Sequence, residues 1–316
     1  MPSYILKRIL SLIPVFFVMS VVIFLVVYLI PGGPAASLLG MEASQDQINA
    51  LNTELGFNRP FLVQYGDWVM NVLRGDWGTS YLLKQPVLQA IGEHFAPTMS
   101  LAVCAEIFTL IFSIPFGILA AYKHGTTVDT VTVSVSMVGV AIPGFLLSMF
   151  LMLLFGVTLK WLPVAGYAAM SEGFGQHLRY LLLPAISLGV AQAAYITRMT
   201  RSSMMDVLYM GYIRTARAKG VRESAVVFKH MLKNAAPTIL TAIGQSFGGL
   251  ITGTIVTETL FNIPGLGMLI ISSINQRDVF VIQGVVLFVT LVYVLVNLVV
   301  DLTYGLVDPR IQMGKK

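Results

Sequence analysis

Charge is scarce in this chain. Only 11% of its 316 residues are Asp, Glu, Lys or Arg, while 56% are hydrophobic and the mean hydropathy is +0.80. These proportions exceed ordinary globular usage and point to lipid as the solvent. A single cysteine, Cys104, excludes an internal disulfide framework or a cysteine-based metal site. Lying in an apolar run, it reads as a small buried hydrophobe. The four histidines, His94, His124, His177 and His230, form no HExxH or closely paired set, so metal hydrolysis lacks ligands. There is no GxxxxGK[ST] phosphate loop to cradle a nucleotide and no GxSxG nucleophile elbow. The chain is therefore not expected to be an enzyme or to bind a cofactor. The net charge of +5 does not argue for a nucleic-acid partner, because in a membrane protein the position of the bases matters more than their sum.

What the chain has is long apolar runs. A helix needs about 20 apolar residues to cross the hydrocarbon core. The qualifying segments are 9–30, 99–122, 131–159, 181–197, 238–261 and 279–307. The first follows Lys7 and Arg8 and is longer than a signal-peptide core, so it reads as an uncleaved helix rather than a secretory signal cut near Ala35, Ala36 and Ser37. With the N-terminus inside, 14 of the 20 Lys and Arg residues fall on the cytoplasmic side. The expected fold is an all-α polytopic membrane protein with six transmembrane helices and both termini cytoplasmic. Residues 1–30 form the first span and 31–98 a small helical extracytoplasmic region. Residues 99–307 form a five-helix core containing a cytoplasmic loop at 201–236, and 308–316 form a cytoplasmic tail. Within 31–98, Ser44 and Gln47 have the spacing of a capping box, Gly56 suits a helix C-terminus and Pro60 the start of the next helix.

Few ionisable residues fall within the spans: Glu106, Glu258 and Asp301. A charge near the bilayer centre costs about 2.5–3.5 kcal/mol even on lenient insertion scales, so each must face protein or water. Two readings stand for them: part of a substrate or ion path, or hydrogen bonding to a neighbouring helix. Gly244, Gly248, Gly249 and Gly253 in the fifth span form overlapping small-xxx-small pairs. They read either as close helix packing or as a helix facing a translocation path.

Against this apolar background, residues 211–240 carry Arg214, Arg217, Lys219, Arg222, Lys229 and Lys233 with a single acid, Glu223. Ile213 and Ala216 share one helix side, Arg214 and Arg217 another, and Gly220 is placed to end the helix. A second amphipathic segment from Glu223 sets Phe228, Met231, Leu232 and Ala235 against lipid or protein and is expected to close at Pro237. A basic interfacial helix touching membrane lipid explains the charge. The small residues Ala216, Ala218 and Gly220 point instead to a docking surface for a protein.

"YIRTARAKG" at 212–220, followed by "HMLKN" at 230–234, resembles the cytoplasmic coupling loop of binding-protein-dependent ABC importers, in the membrane permeases of the dipeptide and oligopeptide branch. In the general importer motif the last Ala and the Gly fall on Ala216 and Gly220, with Arg214 and Thr215 in the first two places. "LKRILSLIPVFF" at 6–17, "IPGGPA" at 30–35, "LGFNRPFLVQYGDWV" at 55–69, "GDWGTS" at 75–80, "TRMTRSSMMDVL" at 197–208, "PGLG" at 264–267 and "NLVVDLTYGLVDPRI" at 297–311 extend the resemblance over nearly the whole chain. The chain departs from the pattern before Tyr212, where no acid stands, at Pro237, and after Asp278, where Tyr-Pro is absent. The resemblance implies a second homologous permease, two separate ATPase subunits carrying ATP and Mg, and an extracytoplasmic solute-binding protein, in a prokaryotic inner membrane. It implies that Arg214, Thr215, Ala216, Arg217, Ala218, Lys219, Gly220 and Val221 dock the ATPase, and that peptides are the cargo. Related importers carry glutathione or nickel complexes, and a partner-free secondary transporter remains the alternative from a different class.

Overall fold

The computed structural model describes residues 2–26, 35–36, 39, 43–54 and 56–307. The expected end of the first span at Ile30 and the tail 308–316 lie outside them. Among the described residues the chain is helical, with no β-strand and one isolated bridge between Thr79 and Pro86. The helices are α1 (Pro2–Val26), α2 (Gln45–Glu54), α3 (Phe61–Leu73), α4 (Val87–Tyr122), α5 (Thr127–Ala141), α6 (Gly144–Leu151, continued by a π-helical stretch Met152–Thr158), α7 (Phe174–Leu208), α8 (Gly211–Ala218), α9 (Glu223–Phe261), α10 (Leu266–Asn275) and α11 (Val279–Val307).

Four of these, α4, α7, α9 and α11, are long and apolar enough to cross a membrane, and α5 with α6 makes a fifth if the bent pair is one span. The difference from six expected spans has two sources. The apolar stretch of α1 among the described residues is Leu10–Leu25, short of the about 20 residues a crossing needs, and the rest of the expected span, to Ile30, lies outside them. The third expected span breaks: its halves meet at 96° because Pro143 drives Ile142 out of the helical region, to ψ 120. Elsewhere helices outrun the apolar runs. α4 starts at Val87 rather than near Met99, and α7 extends 181–197 at both ends.

Contacts divide the chain into two compact units. One comprises residues 2–96 and 264–294. Here Ser44 and Gln47 form the expected capping box, with the Ser44 N–H donating to Gln47 Oε1 at 2.9 Å and the Gln47 N–H to Ser44 Oγ at 3.3 Å. Gly56 ends α2 with φ +75, and the Pro60 carbonyl accepts from the Val63 and Gln64 N–H groups at the start of α3. α3 lies on α1 through an aromatic cluster, Phe24 with Phe61, Tyr65 and Trp68 at centroid distances of 5.4–5.6 Å, and through a Ser20–Tyr65 hydroxyl contact of 2.7 Å. Asp278 starts α11. Its carboxylate accepts from the Val281 N–H, the Leu82 N–H and, at 2.6 Å, the Ser80 hydroxyl. The turn where Tyr-Pro is absent is thus organised by Asp278 and by left-handed Arg277.

The other unit comprises residues 97–263 and 295–307. α7 is its centre, packed by α5, α6 and α9. Around α8 the unit has a distinct apolar core of Ala121 from α4, Met204 and Val207 from α7, Ile213 from α8, and Val226, Val227, Met231, Ala235 and Ile239 from α9. Pro237 does not close a helix as expected. α9 runs straight through it, because the turn before it, Val226–Leu232, is already π-helical and one missing N–H removes a single bond from a 39-residue helix. Cys104 is half-buried rather than buried, beside Ile107, Phe108 and Leu181.

Candidate functional site

α8 is an eight-residue helix between two long ones. Ile213 is fully buried in the apolar core just described, and Ala216 is turned to the same inner side. Tyr212, Arg214, Thr215, Arg217, Ala218, Lys219 and Gly220 are exposed, and Val221 is half-buried. Burial of Ala216 divides the small residues: Ala216 lets α8 lie close to its own chain, and only Ala218 and Gly220 remain on the open face. No side chain caps the start of α8, consistent with the missing acid before Tyr212.

The end of α8 is a complete Schellman turn. Gly220 has φ +72, its N–H reaches the Arg217 carbonyl at 2.9 Å, and the Val221 N–H reaches the Ala216 carbonyl at 3.2 Å. A Cβ at Gly220 would meet nothing within 4 Å, so the glycine serves the backbone turn and leaves open space above it. The Arg217 guanidinium pairs with Glu223 across the turn. Glu223 pushes the Arg217 pKa still higher than its ordinary value. Beside this turn an apolar groove of about 720 Å³ opens between the end of α4 and the start of α9, lined by Ile118, Tyr122, Val227, exposed Phe228 and Leu232.

The intramembrane acids lie inside the protein. Glu106 on α4 is 7% exposed; its Oε2 accepts from Ser246 of α9 at 2.8 Å, while its Oε1 has no partner. Glu258 is fully buried, and its Oε1 accepts from Thr98 at 2.7 Å. Both bonds join α4 to α9, the geometry of helix braces. The glycines of α9 separate by face. Gly244 and Gly248 are buried, and a Cβ on Gly244 would collide with Val300 of α11. Gly253 is exposed with nothing nearby, and half-buried Gly249 has only the Gln192 amide at 3.4 Å from a built Cβ. Gln245, Thr252 and Gly253 thus form an open polar stripe, with the Tyr195 hydroxyl of α7 donating to Gln245 Oε1 at 2.9 Å.

Several polar residues escaped the sequence reading. Asp129, just before the third expected span, binds Arg201 on α7, 72 residues away; no local pattern encodes such a pair. Gln192, Tyr195 and Gln245 are single neutral residues in apolar runs and carry no periodic signal. Asp278 did carry one, an Asp directly before an apolar helix, which is a helix-start signature. Among the described residues no group of three or more His, Cys, Asp or Glu could hold a metal ion.

Comparison with known proteins agrees with this architecture. The family model described as binding-protein-dependent transport system inner membrane component matches residues 113–313, and that of its N-terminal part matches residues 1–102. The probable peptide ABC transporter permease protein y4tP of Sinorhizobium fredii is 42% identical over 312 residues, covering 99% of this chain and 100% of the relative. A putative peptide transport system permease protein of Brucella abortus and the glutathione transport system permease protein GsiC of Salmonella typhimurium are each 41% identical over 99% of both chains. Among solved structures, inward-facing conformations of the MetNI methionine ABC transporter match with a TM-score of 0.57 at 16% identity, covering 70% of this chain and 97% of that one. The chain is therefore a permease of the binding-protein-dependent ABC importers, an inner membrane component of that family.

Proposed function

We propose that this permease is half of a two-chain translocation path for di- or oligopeptides, with α8 as the helix that docks a separate ATPase subunit. The observation that carries the docking reading is the pairing of opposite faces on α8: Ile213 anchors it in the chain's own core, while Gly220 and the basic residues face open space. Such a helix transmits force. A partner that moves the outer face moves the core of α4, α7 and α9 with it. ATP and Mg belong to the partner ATPases, whose closure on ATP draws the two docking helices together and turns the path outward. An extracytoplasmic binding protein then releases cargo, and hydrolysis resets the inward state.

The stripe Gln245, Gly249, Thr252 and Gly253, flanked by Gln192 and Tyr195, is the face we assign to the path. Lipid tails cannot satisfy exposed amides and hydroxyls, so a polar face on a spanning helix turns to water or to protein. Glu106 and Glu258, buried as interhelical braces, hold the wall from behind. We further assign six crossings, with α1 first and the bent α5–α6 pair third. Both termini are on the cytoplasmic side of a prokaryotic inner membrane, where 14 of the 20 Lys and Arg residues then lie. A peptide cargo is supported by the names of the Sinorhizobium and Brucella relatives, and the Salmonella relative favours glutathione, itself a small peptide, as the second reading.

The test is recovery of partners from native membranes. A tagged chain extracted in mild detergent after crosslinking is expected to bring a paralogous permease and phosphate-loop ATPases, identified by mass spectrometry. A chain recovered alone or only with itself, with no crosslinked ATPase, overturns the docking assignment.

A further inference from the structure

The apolar core under α8 draws residues from α4, α7, α8 and α9, and none from α5. At this end of the unit α5 is tied to α7 by a polar contact. Asp129, in the first turn of α5, has a side chain 7% exposed and receives two parallel bonds from Arg201 of α7: Nε to Oδ1 at 2.5 Å and Nη2 to Oδ2 at 2.9 Å. The Gly125 N–H adds a third bond at 3.0 Å, and His124 Nδ1 lies 3.0 Å from Oδ2. The positive end of the α5 dipole favours a carboxylate here. A bidentate pair fixes orientation as well as separation, which a lysine cannot do.

Arg201 sits one turn from Met204, a member of the core that also holds Ile213 of α8. Asp129 begins the helix that bends by 96° into α6, and α6 packs on both α7 and α9. We propose that Asp129, through Arg201, is a positioning residue that pins α5 to the α8 module, so that displacement of α8 is delivered to the bent α5–α6 span. This rests on the assignment of α8 as the ATPase-docking helix. Without the pin, the docking helix still moves and α5 lags behind.

The test is an electron-spin distance measurement in the assembled importer, with one label on exposed Val131 of α5, a second on exposed Met210 at the start of α8, outside the docking face, and Cys104 replaced by serine. In the parent protein the label distance is expected to stay unchanged between nucleotide-free and ATP-vanadate states, because α5 and α8 move as one body. Asp129→Asn and Arg201→Lys are expected to shift the ATP-vanadate distance outside the parent distribution, while Asp129→Glu restores it and His124→Gln leaves it unchanged. ATPase subunits remaining bound to the Asp129→Asn complex would show that the variant is folded and assembled. A distance in Asp129→Asn that stays as fixed as in the parent overturns the pin alone. Absence of ATPase subunits from the parent complex overturns the docking assignment and the pin together.

Discussion

Gly220 permits a quantitative separation of two effects that a single substitution would confuse. Its φ of +72 is a conformation that costs an L-residue about 1–2 kcal/mol, because Cβ approaches the following carbonyl. No heavy atom of the chain lies within 4 Å of a built Cβ, so the cost within this protein is set by the backbone and barely depends on side-chain size. Gly220→Ala and Gly220→Trp should therefore destabilise the Schellman turn alike, by about 1–2 kcal/mol, a factor of roughly 5–30 in the population of the intact turn. Gly220→Asn, which tolerates left-handed geometry, should lie closest to the parent. The docking assignment adds a second effect that does depend on size: the space above Gly220 is filled by the ATPase, so tryptophan should abolish nucleotide-driven uptake while alanine only reduces it. The assay is ATP-dependent uptake in proteoliposomes or right-side-out vesicles that contain the partner subunits, with ATP enclosed in the lumen and the binding protein supplied outside, and with membrane insertion and ATPase co-purification measured in parallel. If tryptophan and alanine reduce uptake equally while both insert normally, the open space above Gly220 is not a docking site and the reasoning fails.

Glu106→Gln keeps an acceptor for the Ser246 hydroxyl and should leave assembly and uptake within about twofold of the parent, whereas Glu106→Leu removes a buried bond and should lower detergent-extracted stability by about 1–3 kcal/mol; a large change in cargo kinetics with Gln would move Glu106 from brace to path. Gly244→Ala should overpack α9 against α11 at a cost of about 1–3 kcal/mol, and Val300→Ala in the same chain should recover most of it, because the added Cβ collides with that side chain; a thermal-unfolding double-mutant cycle with no coupling would refute the contact. Asp278→Ala should cost about 0.5–2 kcal/mol for the lost start of α11, with faster protease cleavage near Ser80, since one carboxylate serves both segments; unchanged cleavage would show that the loop is held by other means.

Legibility followed the range of the interaction that carried each feature. The capping box at Ser44 and Gln47, the left-handed stops at Gly56 and Gly220, and the division of α8 into a side with Ile213 and Ala216 and a side with Arg214 and Arg217 were readable because each depends on residues within a few positions. The break at Pro143 was also local, yet a run of apolar residues masks it: hydropathy averages over the window and records no direction of the chain. Gly244 and Gly253, four residues apart from intervening glycines on the same helix, look alike in sequence and differ in the structure, one packed on Val300 and the other open.

By itself the sequence determined that the chain lives in lipid, lacks a phosphate-loop motif, and carries a basic stretch in one loop built as helix, glycine turn, helix. These follow from composition and from contacts between near neighbours, where side-chain chemistry and helical periodicity suffice. Only the tertiary structure decided that Ala216 faces inward while Gly220 faces out, that Glu106 and Glu258 brace α4 to α9, and that Asp129 binds Arg201. Each of these depends on which helix lies beside which, and helix packing sums many weak contacts between residues distant in sequence, a sum that no short stretch of the chain contains.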